Sequence, residues 1–232
     1  MGTLTADEWV AIQLSLKVAG VATLASLPFG ILVALLLARG RFPGKTVLDG
    51  LVHLPLVLPP VVTGYMLLLT FGRRAPVGSF LESTFGIVFS FRWTGAALAC
   101  AVMGFPLMVR AIRLTIEAVD TRLEQAASTL GAPPLWVFVT VTLPLALPGV
   151  IAGAVLCFAK ALGEFGATIT FVSSIPGETR TIPAAIYGYT QVPGAEMAAL
   201  RLSLVAVVIS LAALVASEIM ARRSDRRGVR VE

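Results

Sequence analysis

Five long apolar runs dominate this chain and decide what it can fold into. They occupy residues 10–38, 47–71, 94–112, 147–172 and 198–221. A helix needs roughly 20 apolar residues to cross the hydrocarbon core of a bilayer, and buried strands are much shorter than these runs. Each run therefore predicts a transmembrane helix. Together they predict an all-α integral membrane protein with about five spans.

The composition favours the same fold class. Of the 232 residues, 57% are apolar and only 13% are charged. This apolar content exceeds what the interior of one soluble domain can hold, and disordered chains are rich in charge instead. The sequence thus excludes an ordinary soluble enzyme and a disordered chain. We expect residues 1–232 to form a single transmembrane domain.

Basic residues predict how the spans are oriented. The larger group follows the first, third and fifth spans: Arg39, Arg41, Lys45, Arg110, Arg113, Arg122, Arg222, Arg223, Arg226, Arg227 and Arg230. The opposite side carries fewer: Arg73, Arg74, Arg92 and Arg180. Because cytoplasmic loops carry the excess of Lys and Arg, we predict an N-terminus outside and a C-terminus in the cytoplasm. The same rule explains the net charge of +5, so nucleic acid is not an expected partner.

The longest predicted cytoplasmic stretch, residues 113–146, has a helix–turn–helix pattern. Ile116, Val119 and Leu123 recur at helical spacing, which predicts an amphipathic helix. A Gly-Ala-Pro-Pro run then breaks it, and a second short helix is expected over about 134–144. On the cytoplasmic face of a transporter, such an element is suited to docking a partner.

This stretch also carries the most informative motif of the chain. Gln125-Ala126-Ala127 is followed after three residues by Gly131, and after nine more by Val141-Thr142-Leu143-Pro144. The spacing resembles the cytoplasmic EAA signature of permease subunits of ATP-binding-cassette importers, where E-A-A, G and I-x-L-P stand at the same distances. Two positions depart from that signature, because Gln125 replaces the glutamate and Val141 replaces the isoleucine.

In that family the loop forms a coupling helix that sits in a cleft of the ATPase subunit. The resemblance implies that coupling to the ATPase depends on Glu124, Gln125, Ala126, Ala127, Gly131, Leu143 and Pro144. Glu124 is included because it stands next to Gln125 and is a candidate for the carboxylate of the family's glutamate. Small residues such as Ala and Gly would let the helix approach the cleft closely.

A second resemblance comes from the fourth span and the loop after it. Residues 161–170 read ALGEFGATIT, and residues 174–183 read SIPGETRTIP. Both strings, with PPVVTGY at 59–65, resemble oxyanion permeases and are closest to molybdate permeases. Sulfate and thiosulfate permeases share the GEFGA core. Sulfate, thiosulfate and tungstate therefore stay open as alternative substrates.

The resemblance implies a subunit of a molybdate importer in the bacterial inner membrane that works by alternating access. It implies a homodimer of permeases, two copies of a separate ATP-binding subunit and an extracytoplasmic molybdate-binding protein, with membrane lipid around them and no cofactor. ATP hydrolysis is expected in the partner, because the string at 40–46 is one residue short of a phosphate-binding loop and follows no strand. The pathway and its gate are expected to include Thr63, Gly64, Lys160, Gly163, Glu164, Gly166, Thr168 and Arg180.

Lys160 and Glu164 form an ionisable pair inside the fourth span. They are four residues apart and so share one helix face, and ionisable groups at that depth usually face the bundle interior or a pathway. One interpretation makes Glu164 part of the gate and Lys160 a cation that tolerates a dianion. The other is a self-neutralising pair that only fixes packing. Gly163, Gly166 and Thr168 allow close packing, either with a second copy or within the subunit.

Two other classes of function compete with this one. An ion-driven secondary transporter would need internal symmetry or a chain of intramembrane ionisable groups, and the sequence offers only Lys160 and Glu164. An intramembrane enzyme would need a catalytic constellation, and none stands out in the sequence. His53, the one histidine, is expected to be a residue of the membrane interface rather than a metal ligand.

Overall fold

The computed structural model of the protein describes residues 4–228, and the side chains of residues 217, 218 and 220–228 are not part of that description. Eleven α-helices and one π-helical turn make up this part of the chain. They are α1 (Ala6–Arg39), α2 (Lys45–Val57), α3 (Pro60–Phe71), α4 (Pro76–Phe85), α5 (Trp93–Ala118), α6 (Thr121–Thr129), α7 (Pro134–Val137), the π turn (Phe138–Thr142), α8 (Leu143–Leu162), α9 (Gly166–Val172), α10 (Ile182–Thr190) and α11 (Glu196–Gly228).

Four stretches of helix are long and apolar enough to cross a membrane. They are Ala6–Arg39, Trp93–Ala118, Pro134–Leu162 and Glu196–Ala216. Helices α2 and α3 meet at 114° and make a fifth crossing if the bent pair is one span. The prediction of an all-α membrane protein with about five spans is confirmed.

Two of the predicted spans are broken rather than straight. The run 47–71 bends at Leu58 and Pro59, which are extended. Pro59 and Pro60 cause the break, because a proline has no N–H to donate and disfavours helical geometry in the residue before it. The run 147–172 breaks between α8 and α9, over residues 163–165.

The predicted amphipathic helix of the cytoplasmic stretch is wrong in its position. Helix α5 continues to Ala118 and so includes Ile116, whereas Val119 lies in the turn before α6 and only Leu123 belongs to α6. The second short helix also has no end near Pro144, because α7, the π turn and α8 form one continuous helix. The π turn ends at Thr142, two residues before Pro144, and its altered hydrogen bonding accommodates the missing proline donor.

The core of the bundle is the packing of α1, α5 and α8, with small residues at the closest approaches. A methyl group on Gly30 would collide with the Met108 side chain, and one on Gly104 would collide with Cys157. Such small residues let helices pack tightly inside a membrane, where no hydrophobic effect drives them together. By contrast, large side chains such as Leu24 and Val208 lie exposed on the outside of the bundle, as expected for a lipid-facing surface.

Ionic contacts collect at the two ends of the bundle. At one end Arg39 pairs with Glu124, and Arg113 pairs with Asp49. At the other end Arg201 donates to the buried Glu8 carboxylate, with 2.7 Å between Nη2 and Oε1. The residues predicted to be cytoplasmic therefore share one end. Arg230 of the predicted basic tail lies outside the described residues, as do the side chains of Arg222, Arg223, Arg226 and Arg227.

Candidate coupling element and transport pathway

Helix α6 is short and is delimited by its own sequence. The Asp120 side chain accepts a hydrogen bond from the Arg122 backbone N–H at 2.9 Å, which satisfies one of the free donors of the first turn. After the helix, Gly131 has a φ of +87°, a conformation that side chains with a Cβ rarely adopt. Its N–H donates to the Ser128 carbonyl and closes the helix.

Glu124 fastens α6 to two other parts of the chain. Its Oε1 accepts hydrogen bonds from Arg39 Nε at 3.3 Å and Nη2 at 3.1 Å, and from Thr142 Oγ1 at 2.8 Å. Arg39 Nη2 also donates to the Val119 carbonyl at 2.9 Å. One carboxylate thus ties α6 to the end of α1 and to the π turn. Gln125, the next residue, is exposed.

Sequence reasoning missed the partners Arg39 and Thr142. Arg39 is 85 positions from Glu124 along the chain, and no periodicity links residues so far apart. Thr142 lies inside the predicted motif, but at the position where the motif accepts any residue, so the sequence did not indicate a role for it. It is 2% exposed, so its hydroxyl needs a partner, and Glu124 supplies one.

Beside this anchor, α6 and α7 expose large apolar side chains. Leu123, Leu130, Leu135 and Trp136 are 50–89% exposed. Ala126 is exposed and Ala127 is half-buried. Because both side chains are single methyl groups, another protein can approach the backbone of α6 closely at this point. Of the other motif residues, Leu143 packs against the core and Pro144 is exposed.

The break in the fourth span is organised by Glu164. Its Oε2 lies 2.6 Å from Lys160 Nζ, and its Oε1 accepts a hydrogen bond from the Ala167 N–H at 3.0 Å. The carboxylate therefore neutralises Lys160 and satisfies a free donor at the start of α9. The Glu164 side chain is 1% exposed and the Lys160 side chain 30%, so Lys160 is the partner that remains accessible to the surroundings.

Glycines bring α3 and α9 into contact next to this break. A Cβ on Gly64 would collide with the Ala167 backbone, and one on Gly166 would lie 2.8 Å from Pro60 Cβ. Thr63 and Thr168 are buried in the same region. Thr168 donates to the Phe165 carbonyl at 2.9 Å, whereas the Thr63 hydroxyl has no partner among the described residues.

An open groove of about 420 Å³ lies beside the break. Gly163 and Phe165 line one side, and residues of α10 and α11 line the other, among them Tyr187 and Ser210. Arg180 belongs to the loop between α9 and α10 and forms no ion pair within the described part of the chain. The structure therefore gathers seven of the eight predicted pathway residues around the break, namely Thr63, Gly64, Lys160, Gly163, Glu164, Gly166 and Thr168.

No group of three His, Cys, Asp or Glu side chains among the described residues is placed to hold a metal ion. His53 Nδ1 instead lies 2.9 Å from the Asp49 carbonyl and 3.2 Å from its carboxylate, one helical turn away.

The chain matches a family model over residues 26–229, which is most of its length. The family is described as "Binding-protein-dependent transport system inner membrane component". The chain belongs to this family. This permease is thus a multi-pass protein of the inner membrane.

Close relatives of the permease cover nearly its whole length. It is 60% identical over 98% of its length to the molybdenum transport system permease protein ModB of Escherichia coli K12, and covers 99% of that protein. It is 57% identical over 95% of its length to ModB of Haemophilus influenzae, covering 96% of it. The sulfate transport system permease protein CysW of Synechococcus elongatus is 37% identical over 94% of this chain, which covers 75% of that protein.

The fold of the permease also matches solved importers. A chain of a bacterial ABC transporter involved in the import of the acidic polysaccharide alginate superposes with a TM-score of 0.73 at 18% identity. The match covers 94% of the permease and 80% of that chain. At this identity the likeness concerns the fold alone.

Proposed function

We propose that the protein is the membrane-spanning subunit of an ATP-driven molybdate importer. The observation that carries the proposal is the 60% identity, from end to end, with a molybdenum transport permease. The relative named for sulfate transport is much less similar, at 37%. Sulfate, thiosulfate or tungstate is therefore the second candidate substrate, in a protein of the same architecture.

In this proposal residues 113–146 contain the element that couples the permease to a separate ATPase. Helix α6 would enter a cleft of the ATPase with its exposed alanine and its apolar neighbours, because a large unpartnered apolar surface on a soluble loop favours a protein interface. Glu124 would pass the movement of α6 to α1 and α8 through Arg39 and Thr142. Rigid elements joined in this way move together.

The proposed pathway runs past the break in the fourth span. Lys160 is the more exposed partner of the ion pair, and its ammonium would compensate a tetrahedral dianion as it passes. Glu164 would hold that ammonium in place and keep the start of α9 fixed on α3. Thr63, Gly64 and Arg180 are assigned to the pathway on the same basis, as neighbours of the break or of its outer loop.

The rest of the assembly follows from the same proposal. Residues 1–232 act as one permease domain, with the N-terminus outside and the C-terminus in the cytoplasm. Two copies form the pathway as a homodimer, two copies of the ATP-binding subunit dock on the cytoplasmic side, and a molybdate-binding protein delivers the anion outside. ATP is hydrolysed in the partner subunit and not in this chain.

A deletion strain tests the proposed substrate. Cellular molybdenum, measured by elemental mass spectrometry at trace molybdate, should fall on deletion and return on complementation, while growth on sulfate stays unchanged. Complementation with a Glu124→Ala, Thr142→Val variant controls for coupling, and that strain should stay low in molybdenum. Unchanged molybdenum with impaired sulfate use would replace molybdate by sulfate as the substrate.

A further inference from the structure

The outer connection between α3 and α5 contains α4, an amphipathic helix whose apolar face is uncovered. On a helical projection Val77, Phe80 and Phe85 share one face, and all three are 39–64% exposed. The Phe80 and Phe85 rings touch edge to face, with centroids 6.4 Å apart. Ser79 and Ser83 lie on the opposite side of the helix and are also exposed. If α4 were surrounded by water, both aromatic rings would be exposed to it.

The position of α4 relative to a bilayer is fixed by α5. The apolar part of α5 runs from Trp93 to the residue before Arg110, about 17 residues or roughly 26 Å at 1.5 Å per residue. This length is close to the hydrocarbon thickness of about 30 Å, so Trp93 lies at its outer boundary. Tryptophan favours that depth. Lys17 of α1 reaches the same level, because its ammonium lies 3.6 Å from the centre of the Trp93 ring.

Contacts with the end of α3 hold helix α4 near this boundary. Gly78 packs directly on the backbone of Gly72, the residue that ends α3, and a Cβ at Gly78 would collide with the Gly72 carbonyl. Arg73 pairs with Glu82 at 3.1 Å, which fastens the polar side of α4 to the end of the span. The helix is therefore packed against the end of a membrane span.

The charges around α4 suit a lipid headgroup region. Arg74 precedes α4 and Arg92 follows it along the chain, and both are exposed and form no salt bridge within the described residues. Phosphate groups of phospholipids lie at the depth of these guanidinium groups when Trp93 is at the hydrocarbon boundary. Amphipathic helices with aromatic residues on one face and basic residues nearby bind at this depth with the apolar face in the acyl chains.

We propose that α4 is an interfacial membrane anchor. Its apolar face, consisting of Val77, Phe80 and Phe85, is inserted into the outer leaflet of the inner membrane, while Ser79 and Ser83 face water. The anchor holds the outer ends of α3 and α5 at a fixed depth. The proposal concerns the outer side of the bilayer and so rests on the proposed orientation.

Spin labels on single cysteines test this directly in the complete importer, reconstituted in phospholipid vesicles. The matched pair is Phe80→Cys on the apolar face and Ser79→Cys, an exposed position about 160° from the centre of that face on the helical projection. The native Cys100 and Cys157 are buried, and the unsubstituted protein measures any labelling at them. For the label at 80, collisions with oxygen, which concentrates in lipid, should exceed collisions with a water-soluble nickel chelate several-fold. The label at 79 should show the reverse.

Three results would overturn the proposal. A label at 80 that prefers the nickel chelate would place the apolar face in water. A label at 80 shielded from both reagents only when the binding protein is present would make the face a docking site for that protein. Dipolar broadening between labels on two copies would make it a contact between permeases. Each is independent of the transported anion, and thiol labelling of Ser79→Cys from outside or inside separately reports the orientation.

Discussion

The carboxylate of Glu124 provides the sharpest test of the coupling element. Helix α6 has nine residues, and an isolated helix of that length is marginal in water, so its order depends on its anchors. The substitution Glu124→Ala removes the three hydrogen bonds to Arg39 and Thr142. It does not reduce helix propensity, because alanine is the best helix former. Any loss of order in α6 therefore reports the anchor.

The free energy that these three hydrogen bonds contribute depends on how exposed their side chains are. A hydrogen bond to a charged group contributes about 1.5–3 kcal/mol when buried, and exposed ion pairs contribute about 1 kcal/mol or less. The Arg39 and Glu124 side chains are 25% and 20% exposed, which lies between these limits. We expect a total of about 2–4 kcal/mol for the three bonds. Since about 1.4 kcal/mol is a factor of ten, the opening equilibrium of α6 should rise by about 30- to 1,000-fold.

Hydrogen–deuterium exchange measures that equilibrium. The α6 amides of the permease, purified without the ATPase, should exchange faster by this factor in Glu124→Ala and by a smaller one in Thr142→Val. The control is Gln125→Ala, one residue away on the exposed side of the same helix, which should leave exchange unchanged. In the assembled importer, Glu124→Ala should also transport less molybdate per ATP hydrolysed. Equal exchange in all variants, or an equal increase in the control, would refute the proposed anchor.

Three further predictions address the pathway and the orientation. Gly64→Ala should lower the free energy of unfolding by about 1–3 kcal/mol, because the new Cβ would be 2.9 Å from Ala167 Cα. The control is Gly50→Ala, whose Cβ would meet no atom within 4 Å and which should leave thermal unfolding unchanged. Glu164→Ala should lower the melting temperature, because it leaves Lys160 unpaired, and the double variant Lys160→Met, Glu164→Gln should restore it. If Glu164→Ala melts at the same temperature as the unsubstituted protein, the pair has no structural role. A restored melting temperature without restored transport would assign the Lys160–Glu164 pair to the pathway. An impermeant thiol reagent should label Val192→Cys in intact cells and Leu130→Cys only after permeabilisation, and the opposite pattern would invert the proposed topology.

The spans could be predicted because a transmembrane helix is specified by a local property, a continuous run of apolar residues. The breaks inside the second and fourth apolar runs were not predicted, although the consecutive prolines Pro59 and Pro60 indicate the first of them. The other break, at Glu164, has no local signal of that strength, because it depends on the packing of α9 against α3. Helices α4 and α10 were missed as well, since they are too short for a span and lie in connections judged only by their length.

The site shows the same division. Spacing was enough to indicate the pairing of Lys160 with Glu164, because the two residues are only four positions apart along the chain. The assignment of the coupling loop stays a prediction. The contact of Glu124 with Arg39 could not be predicted, as it joins segments that only the folded bundle brings together. At the position of the expected glutamate, Gln125 is exposed, whereas the neighbouring Glu124 has a partly buried carboxylate that bonds Thr142.

Uptake by the reconstituted importer tests the central claim most directly. Vesicles containing this permease and its ATPase, with the binding protein outside, would be supplied with ATP inside and equal concentrations of molybdate and sulfate outside. We predict that molybdate accumulates only with ATP and the binding protein, that sulfate does not, and that Glu124→Ala abolishes most of the uptake. Accumulation of molybdate without ATP, or preferential accumulation of sulfate, would contradict this prediction.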